Sequence, residues 1–195
     1  DHLREFNSDL WIYAHTTAVH SLGDIWAMGG EPNVVMAHII IPEGSERVQT
    51  NWLNQIIGAA SDVFKKEGAS IVGGHTSIGA EFCIGFSITG TISKDPILIS
   101  GAKPGDSLIL TKPIGSGVIL AGEMQLISEG LWVKSALKWM MKSQSGAAKV
   151  LLKARAMTDV TGFGLAGHLL RLCQNSNVTA TIKLSEIPFL RGAEE

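Results

Sequence analysis

The run Val34–Ile41 (VVMAHIII) constrains the chain more than any other stretch. Eight residues rich in β-branched side chains are far short of the roughly 20 that span a bilayer. Such a run reads as a buried strand. It sits between two long helical patterns. Residues 10–28 (LWIYAHTTAVHSLGDIWAM) read as a helix closed by Gly29-Gly30 and then Pro32. Residues 48–66 read as a second helix, with Leu53, Ile56, Ile57, Ala60 and Phe64 forming one apolar stripe and Lys65, Lys66 and Gly68 marking its end. Short apolar runs at 69–72 and 83–92 read as further strands. After the Pro-, Gly- and Lys-rich segment Ser93–Asp106 the pattern predicts a strand at 107–112 (SLILTK). It continues with a helix opening near Gly115-Ser116-Gly117, helices around 144–155 and 164–175, and a strand at 178–183. Alternating strands and helices place the chain in the α/β or α+β class with two layers. Ser93–Asp106 is the best domain boundary.

Composition excludes several functions. Sixteen Lys and Arg against 18 Asp and Glu give a net charge of −2, where a nucleic-acid-binding module shows a basic excess or patch. Charged residues are only 17% of the chain and glycines number 22. A surface so poor in charge is expected to be covered in part by a partner or by a further segment. Many glycines imply turns or close approach to a ligand. Cys83 and Cys173 lie far apart in apolar surroundings, unlike a disulfide framework or a zinc site. They read as reduced core thiols in a cytoplasmic protein. The first residue is Asp, so the chain is expected to be cut from something longer.

Two carboxylates stand in apolar sequence. Asp24 lies between Leu22 and Ile25-Trp26 in the first helix. Buried there, it requires a cation, an arginine or hydrogen-bond donors; the alternative is an aspartate on the helix surface. His20, four residues earlier, is on the same helix face. Asp159, in AMTDVTGFGLAGHLL, precedes a Gly-rich turn that opens a helix, with Thr161, Gly162 and Gly164 fitting an N-cap and close backbone approach. Two such carboxylates can share a hard cation beside a nucleotide phosphate. A third feature is Val72-Gly73-Gly74-His75-Thr76, where a strand runs into two glycines whose N–H groups can face a phosphate. By itself this signal is weak, and a plain strand-ending turn accounts for it better. No Walker A pattern occurs. His15, His38 and His168 read as ordinary core or surface residues.

Taken together, MTDVTGFGLAGHLL (157–170), LGDIWAMGGEP (22–32), VGGHTSIGAEFCIGFSITG (72–90), LTKPIGSGV (110–118) and the closing SEIPFLRGAEE resemble selenophosphate synthetase (selenide, water dikinase). That family belongs to the aminoimidazole-ribonucleotide-synthetase-like (PurM-like) superfamily. The resemblance runs from residue 1 to 195. It implies a two-domain α/β PurM-like fold, with residues 1–100 forming an ATP-binding domain and residues 101–195 the first part of a second. It further implies ATP and Mg²⁺ as cofactors, selenide as substrate, selenophosphate, AMP and phosphate as products, and a homodimer with each site built across the interface. By position, Asp24 resembles the aspartate that binds both metal and ATP, Asp1 a nucleotide-contacting aspartate, and Asp159 the metal-binding aspartate of the second domain. Gly73, Gly74, His75 and Thr76 resemble the nucleotide-contacting turn presented to the partner's site. The family's nucleophilic Cys or selenocysteine and its lysine would lie upstream of residue 1, so the isolated chain is expected to bind ATP weakly and not to turn over. His2-Leu3 replaces the family's aromatic pair, and only Glu81 remains of the loop that follows GGHT. The rival expectations are a thiamine-monophosphate-kinase-like enzyme of the same superfamily and a catalytically silent homologue serving as a regulatory or scaffolding subunit.

Overall fold

A computed structural model describes residues 1–194. The chain divides into two compact units, one comprising Asp1–Trp26 and Gly30–Lys94, the other Ala27–Gly29 and Asp95 onward.

The first unit is a four-stranded sheet with helices on one face. Its elements are β1 (His2–Arg4), α1 (Leu10–Ala27), β2 (Glu31–Pro42), α2 (Glu46–Lys66), β3 (Ser70–Gly79) and β4 (Cys83–Thr91), and the strand order is β1-β4-β2-β3. The apolar run read from sequence is one of the sheet's two inner strands, beside β4. Val35, Ala37, Ile39 and Ile41 alternate inward and are buried. They meet Ile84 and Phe86 of β4 and the α2 stripe Ile56, Ala60, Val63 and Phe64, with Phe64 packed edge-on against Phe86 at 5.0 Å. The other residues of the alternation, Met36 and His38, face outward and are exposed.

The start of α1 is set by Asp9, whose Oδ1 accepts the N–H groups of Trp11 (2.9 Å) and Ile12 (3.1 Å), an N-cap in the usual sense. One turn on, Tyr13 is fully buried. Its hydroxyl donates to the Leu3 carbonyl and accepts the Ile84 N–H at 3.1 Å, so one oxygen ties α1 to β1 and β4. Burial pushes this phenol far above its ordinary range. Tyr13→Phe removes both partners at once, and leaving a buried donor and acceptor unmatched costs about 1–3 kcal/mol. We expect a loss of that size in urea-unfolding midpoints, with the native circular dichroism spectrum unchanged.

The second unit is helical: α3 (Ser116–Met124), α4 (Gly130–Met140), α5 (Ser145–Val150) and α6 (Gly164–Ser176), with a 3₁₀ turn at Leu184–Glu186. Three sequence expectations fail here. Residues 107–112 and 178–183 form no strands, and α5 stops at Val150 instead of continuing to 155. SLILTK carries strand-forming residues, yet Leu108 and Ile109 stand 54% and 69% exposed, with no neighbouring strand to pair. Strand propensity needs a pleated partner surface to act on. What remains is one parallel bridge, Ile114 to Phe189. The GGHT reading fails differently. Residues 73–76 are not a strand-ending turn but the middle of β3.

Candidate functional site

Residues of the first unit that were singled out in the sequence fall into two groups. Asp1 sits beside β4. Its amino group donates to the Phe86 carbonyl (3.0 Å) and its carbonyl accepts the Phe86 N–H (2.9 Å). Its carboxylate lies 3.2 Å from His20 Nε2. His20 and Asp24 share a face of α1 at i and i+4, so Asp1, His20 and Asp24 belong to one corner of the unit. Asp24 is exposed, so of the two readings open from the sequence the helix-surface one holds and the buried one does not. Trp11 and Met28 on the same stretch are also 43% exposed.

Gly73, Gly74, His75 and Thr76 form the second group, on the opposite edge of the sheet. All four are exposed on β3, which among the described residues pairs with β2 alone. Register makes the relation concrete. Asp1 pairs with Phe86, Phe86 with Ala37, and Ala37 with Gly74. Asp1 and Gly74 thus end one row across the sheet, separated by three strand spacings, or roughly 14 Å. They do not converge within one chain.

The β3 edge has a built shape. The strand pairing shifts register between Val35 and Met36, leaving Val72 as an extra residue on β3. Gly74 has φ +155°, and a Cβ there would overlap the Ala37 carbonyl oxygen and stand 2.8 Å from Ala37 C and N. Below this edge a groove of about 230 Å³ is lined by Ala37, Ile39, Ile57 and Ile71 together with Gly73–Thr76. The floor is apolar, with exposed backbone and the Thr76 hydroxyl at its rim, and the groove is shallower and smaller than a typical small-molecule pocket. His75 lies opposite His38 in register, ring centroids 6.2 Å apart.

In the second unit Asp159 is half-buried in the stretch between α5 and α6. Thr158 Oγ1 donates to the Asp159 carbonyl (3.1 Å), and the Gly164 N–H closes a turn onto the Thr161 carbonyl (2.9 Å). His168 is buried at 8% exposure, and its Nε2 lies 3.0 Å from the Thr161 amide nitrogen. Sequence reading passed over this contact. Its signal is a histidine seven residues after Thr161, one turn into the helix that the Gly-rich stretch opens.

Asp24 and Asp159 offer oxygen ligands only, and no cluster of three or more His, Cys, Asp or Glu placed to hold a metal exists among the described residues. That donor chemistry suits Mg²⁺, which takes one or two carboxylates and completes its shell with water and phosphate oxygens. It does not suit Zn²⁺. The thiols are poor candidates for nucleophiles. Cys83 is half-buried and unpaired by disulfide, and burial, aided by Glu81, pushes its pKa up against the opposing pull of Arg4. Lys112, in the LTKPIGSG stretch, donates to the Lys142 carbonyl, and burial reinforced by Lys142 lowers its pKa to about 8. Among the described residues, no helix is long and apolar enough to cross a membrane.

Residues 2–92 match the N-terminal domain of AIR synthase related protein, and residues 103–194 match the C-terminal domain. The chain is 37% identical to a selenide, water dikinase of Geobacter metallireducens over 191 residues, 96% of this chain and 55% of that protein. It is 36% identical to one from Nitratidesulfovibrio vulgaris over 195 residues, 96% of this chain and 54% of that protein. The chain therefore spans about half the length of the curated relatives it matches. Among solved structures it is similar to a thiamine-monophosphate kinase from Stenotrophomonas maltophilia (TM-score 0.83, 19% identity, 99% of this chain and 64% of that one). It is also similar to the hydrogenase maturation protein HypE in complex with ATP (TM-score 0.78, 17% identity, 93% and 55%). With both domains matched in order, the chain belongs to the AIR synthase related family, alongside its selenide, water dikinases.

Proposed function

We propose that this chain carries the nucleotide- and metal-handling part of a selenide, water dikinase. That enzyme makes selenophosphate from selenide, ATP and water, releasing AMP and phosphate. The observation that carries the reading is identity of 37% spread over 96% of the chain, against 19% for the thiamine-monophosphate kinase of nearly the same fold. HypE, another fold neighbour, is described in complex with ATP, which agrees with ATP as the nucleotide here.

Asp24 and Asp159 would each serve as a Mg²⁺ ligand, and Mg²⁺ charge would offset that of the phosphates during transfer. Asp1, held by the Phe86 backbone and by His20, would contact the nucleotide from the same corner as Asp24. Gly73, Gly74, His75 and Thr76 lie at the far edge of the sheet from Asp1, a separation that favours a homodimer in which β3 serves the partner's site. The uncovered outward residues Met36 and His38 agree with a second copy against that side. By function, residues 1–100 would serve ATP binding and residues 101–195 would begin the second domain, a division set a few residues beyond the structural boundary at Lys94/Asp95, and the protein would work in the cytoplasm.

The test is product analysis on the whole protein with ATP, Mg²⁺ and either selenide or thiamine monophosphate. Selenide-dependent AMP and a selenophosphate signal in ³¹P spectra support the reading. Turnover only with thiamine monophosphate moves the protein to the kinase reading, and no turnover with either substrate moves it to a silent regulatory subunit.

A further inference from the structure

The start of α6 lacks its usual support. Phe163 occupies the N-cap position with helical backbone angles and no side-chain cap, where a Ser, Thr, Asp or Asn normally accepts an N–H of the first turn. The load is taken up from inside the helix instead. His168, buried on the first turn and a half of α6, reaches back to Thr161, with Nε2 at 3.0 Å from the amide nitrogen and 3.2 Å from Oγ1. A backbone amide can only donate. Nε2 must therefore present its lone pair, which makes the ring neutral and puts its proton on Nδ1. The Thr161 carbonyl is taken in turn by the Gly164 N–H at 2.9 Å, with Gly164 at φ +67°, a conformation that favours glycine. Thr161 is thus held at both of its backbone groups. Phe163 lies beside the same imidazole, ring centroids 5.9 Å apart.

Asp159 is two residues upstream of this anchored position, and its carbonyl is already fixed by Thr158 Oγ1. A single residue, Val160, between the held Thr161 and the hydrogen-bonded Asp159 carbonyl leaves little freedom in where the Asp159 carboxylate points. We propose that His168 is a positioning residue for the metal-binding carboxylate: as a neutral acceptor it locks the turn at Thr161 and so sets the direction in which Asp159 leaves it. The inference rests on the reading of Asp159 as a magnesium ligand. It adds a residue that touches neither metal nor substrate and acts through the backbone it holds, as supports behind metal ligands commonly do.

Three measurements on the whole protein test it. Long-range ¹H–¹⁵N spectra of the wild type should show His168 with Nδ1 protonated and Nε2 bare. His168→Met keeps an apolar side chain but removes the acceptor. We expect it to raise the Mg²⁺ concentration for half-maximal activity by about 10-fold or more, the scale on which outer supports of metal ligands act, with turnover at saturating Mg²⁺ nearly unchanged. His168→Gln places a carbonyl oxygen near the position of Nε2 and should restore most of that Mg²⁺ affinity, with hydrogen exchange at the Thr161 amide again slow. A protonated Nε2, a His168→Met protein with wild-type Mg²⁺ dependence, or a loss that Gln does not repair overturns the proposal. If His168→Met does not fold, the wild-type tautomer and the Gln variant still decide it. Should Asp159→Asn itself leave Mg²⁺ dependence untouched, the metal assignment is what fails. The tautomer and the Thr161 exchange then judge the lock separately.

Discussion

Gly74→Ala should unfold the first unit or sharply weaken it, whereas Gly73→Ala next to it should not. The two glycines are adjacent on β3 and equally exposed, so burial does not distinguish them. What differs is the neighbour that an added methyl meets. At Gly74 it is the Ala37 backbone of β2, with the carbonyl oxygen inside contact distance and C and N at 2.8 Å. A backbone in the middle of a paired strand has nowhere to move without breaking the ladder. The φ of +155° adds a conformation that side chains avoid. At Gly73 the methyl meets only Sδ and Cε of Met36, both at 3.3 Å, the end of a flexible side chain that is itself 48% exposed. Overpacking costs about 1–3 kcal/mol in general, and we expect Gly74→Ala at or above the top of that range with Gly73→Ala below about 1 kcal/mol. Urea titrations followed by circular dichroism measure both. Equal losses at the two positions would mean that β2 does not pin Gly74.

This contrast also shows where sequence reading stopped. The glycine pair was visible as a place where a chain needs freedom, and a phosphate-facing turn is a common reason for such a pair. Here the immediate reason for Gly74 is the close approach of β2 across a register shift, a relation between segments 37 residues apart along the chain that no local pattern encodes. Where the signal was local, it sufficed. VVMAHIII became β2, and the stripe ending at Lys65, Lys66 and Gly68 became α2, with Gly68 at φ +82° closing it. Where the outcome depended on a partner, as in SLILTK, strand-forming residues alone gave no strand. The burial of Asp24 stayed open in the sequence for a related reason. Small and polar residues are scattered around α1, and several of them, Thr16, Thr17 and Ser21, are buried, so polarity alone does not say which side of the helix is outward. The helices at 116–124 and 164–176 were legible from their glycines, while α4, Gly130–Met140, was not foreseen at all. The short β1 was missed because three residues carry no period; it exists only through its pairing with Cys83–Gly85.

The largest functional effects are expected at Asp24 and Asp159. Asp24→Asn and Asp159→Asn each keep the size of the side chain and remove the charge, so a change in activity reports electrostatics and not packing. Asp24 is exposed, and its replacement leaves the buried face of α1, with Tyr13, Ala14, Ala18 and Leu22, undisturbed. Asp159 is half-buried at the start of a turn whose internal hydrogen bonds come from Thr158, Thr161, Gly164 and His168, not from its own carboxylate. Both variants should therefore unfold within a degree or two of the wild type, about the shift of a surface substitution. Their turnover should fall on the order of 10²–10³-fold, the scale of removing one fixed electrostatic contact to a reacting centre. Raised Mg²⁺ should recover part of that loss, since a weakened site still fills at higher concentration. Calorimetric titration with a non-hydrolysable ATP analogue, with and without Mg²⁺, separates the contributions. Loss of a metal ligand weakens binding only when Mg²⁺ is present, because an aspartate facing bare phosphate repels it, and Asn at such a position would tighten metal-free binding. Wild-type behaviour in both variants would make the two carboxylates structural and leave the nucleotide to the β3 groove alone. An effect at Asp24 without one at Asp159 would confine the metal to the corner shared by Asp1, His20 and Asp24.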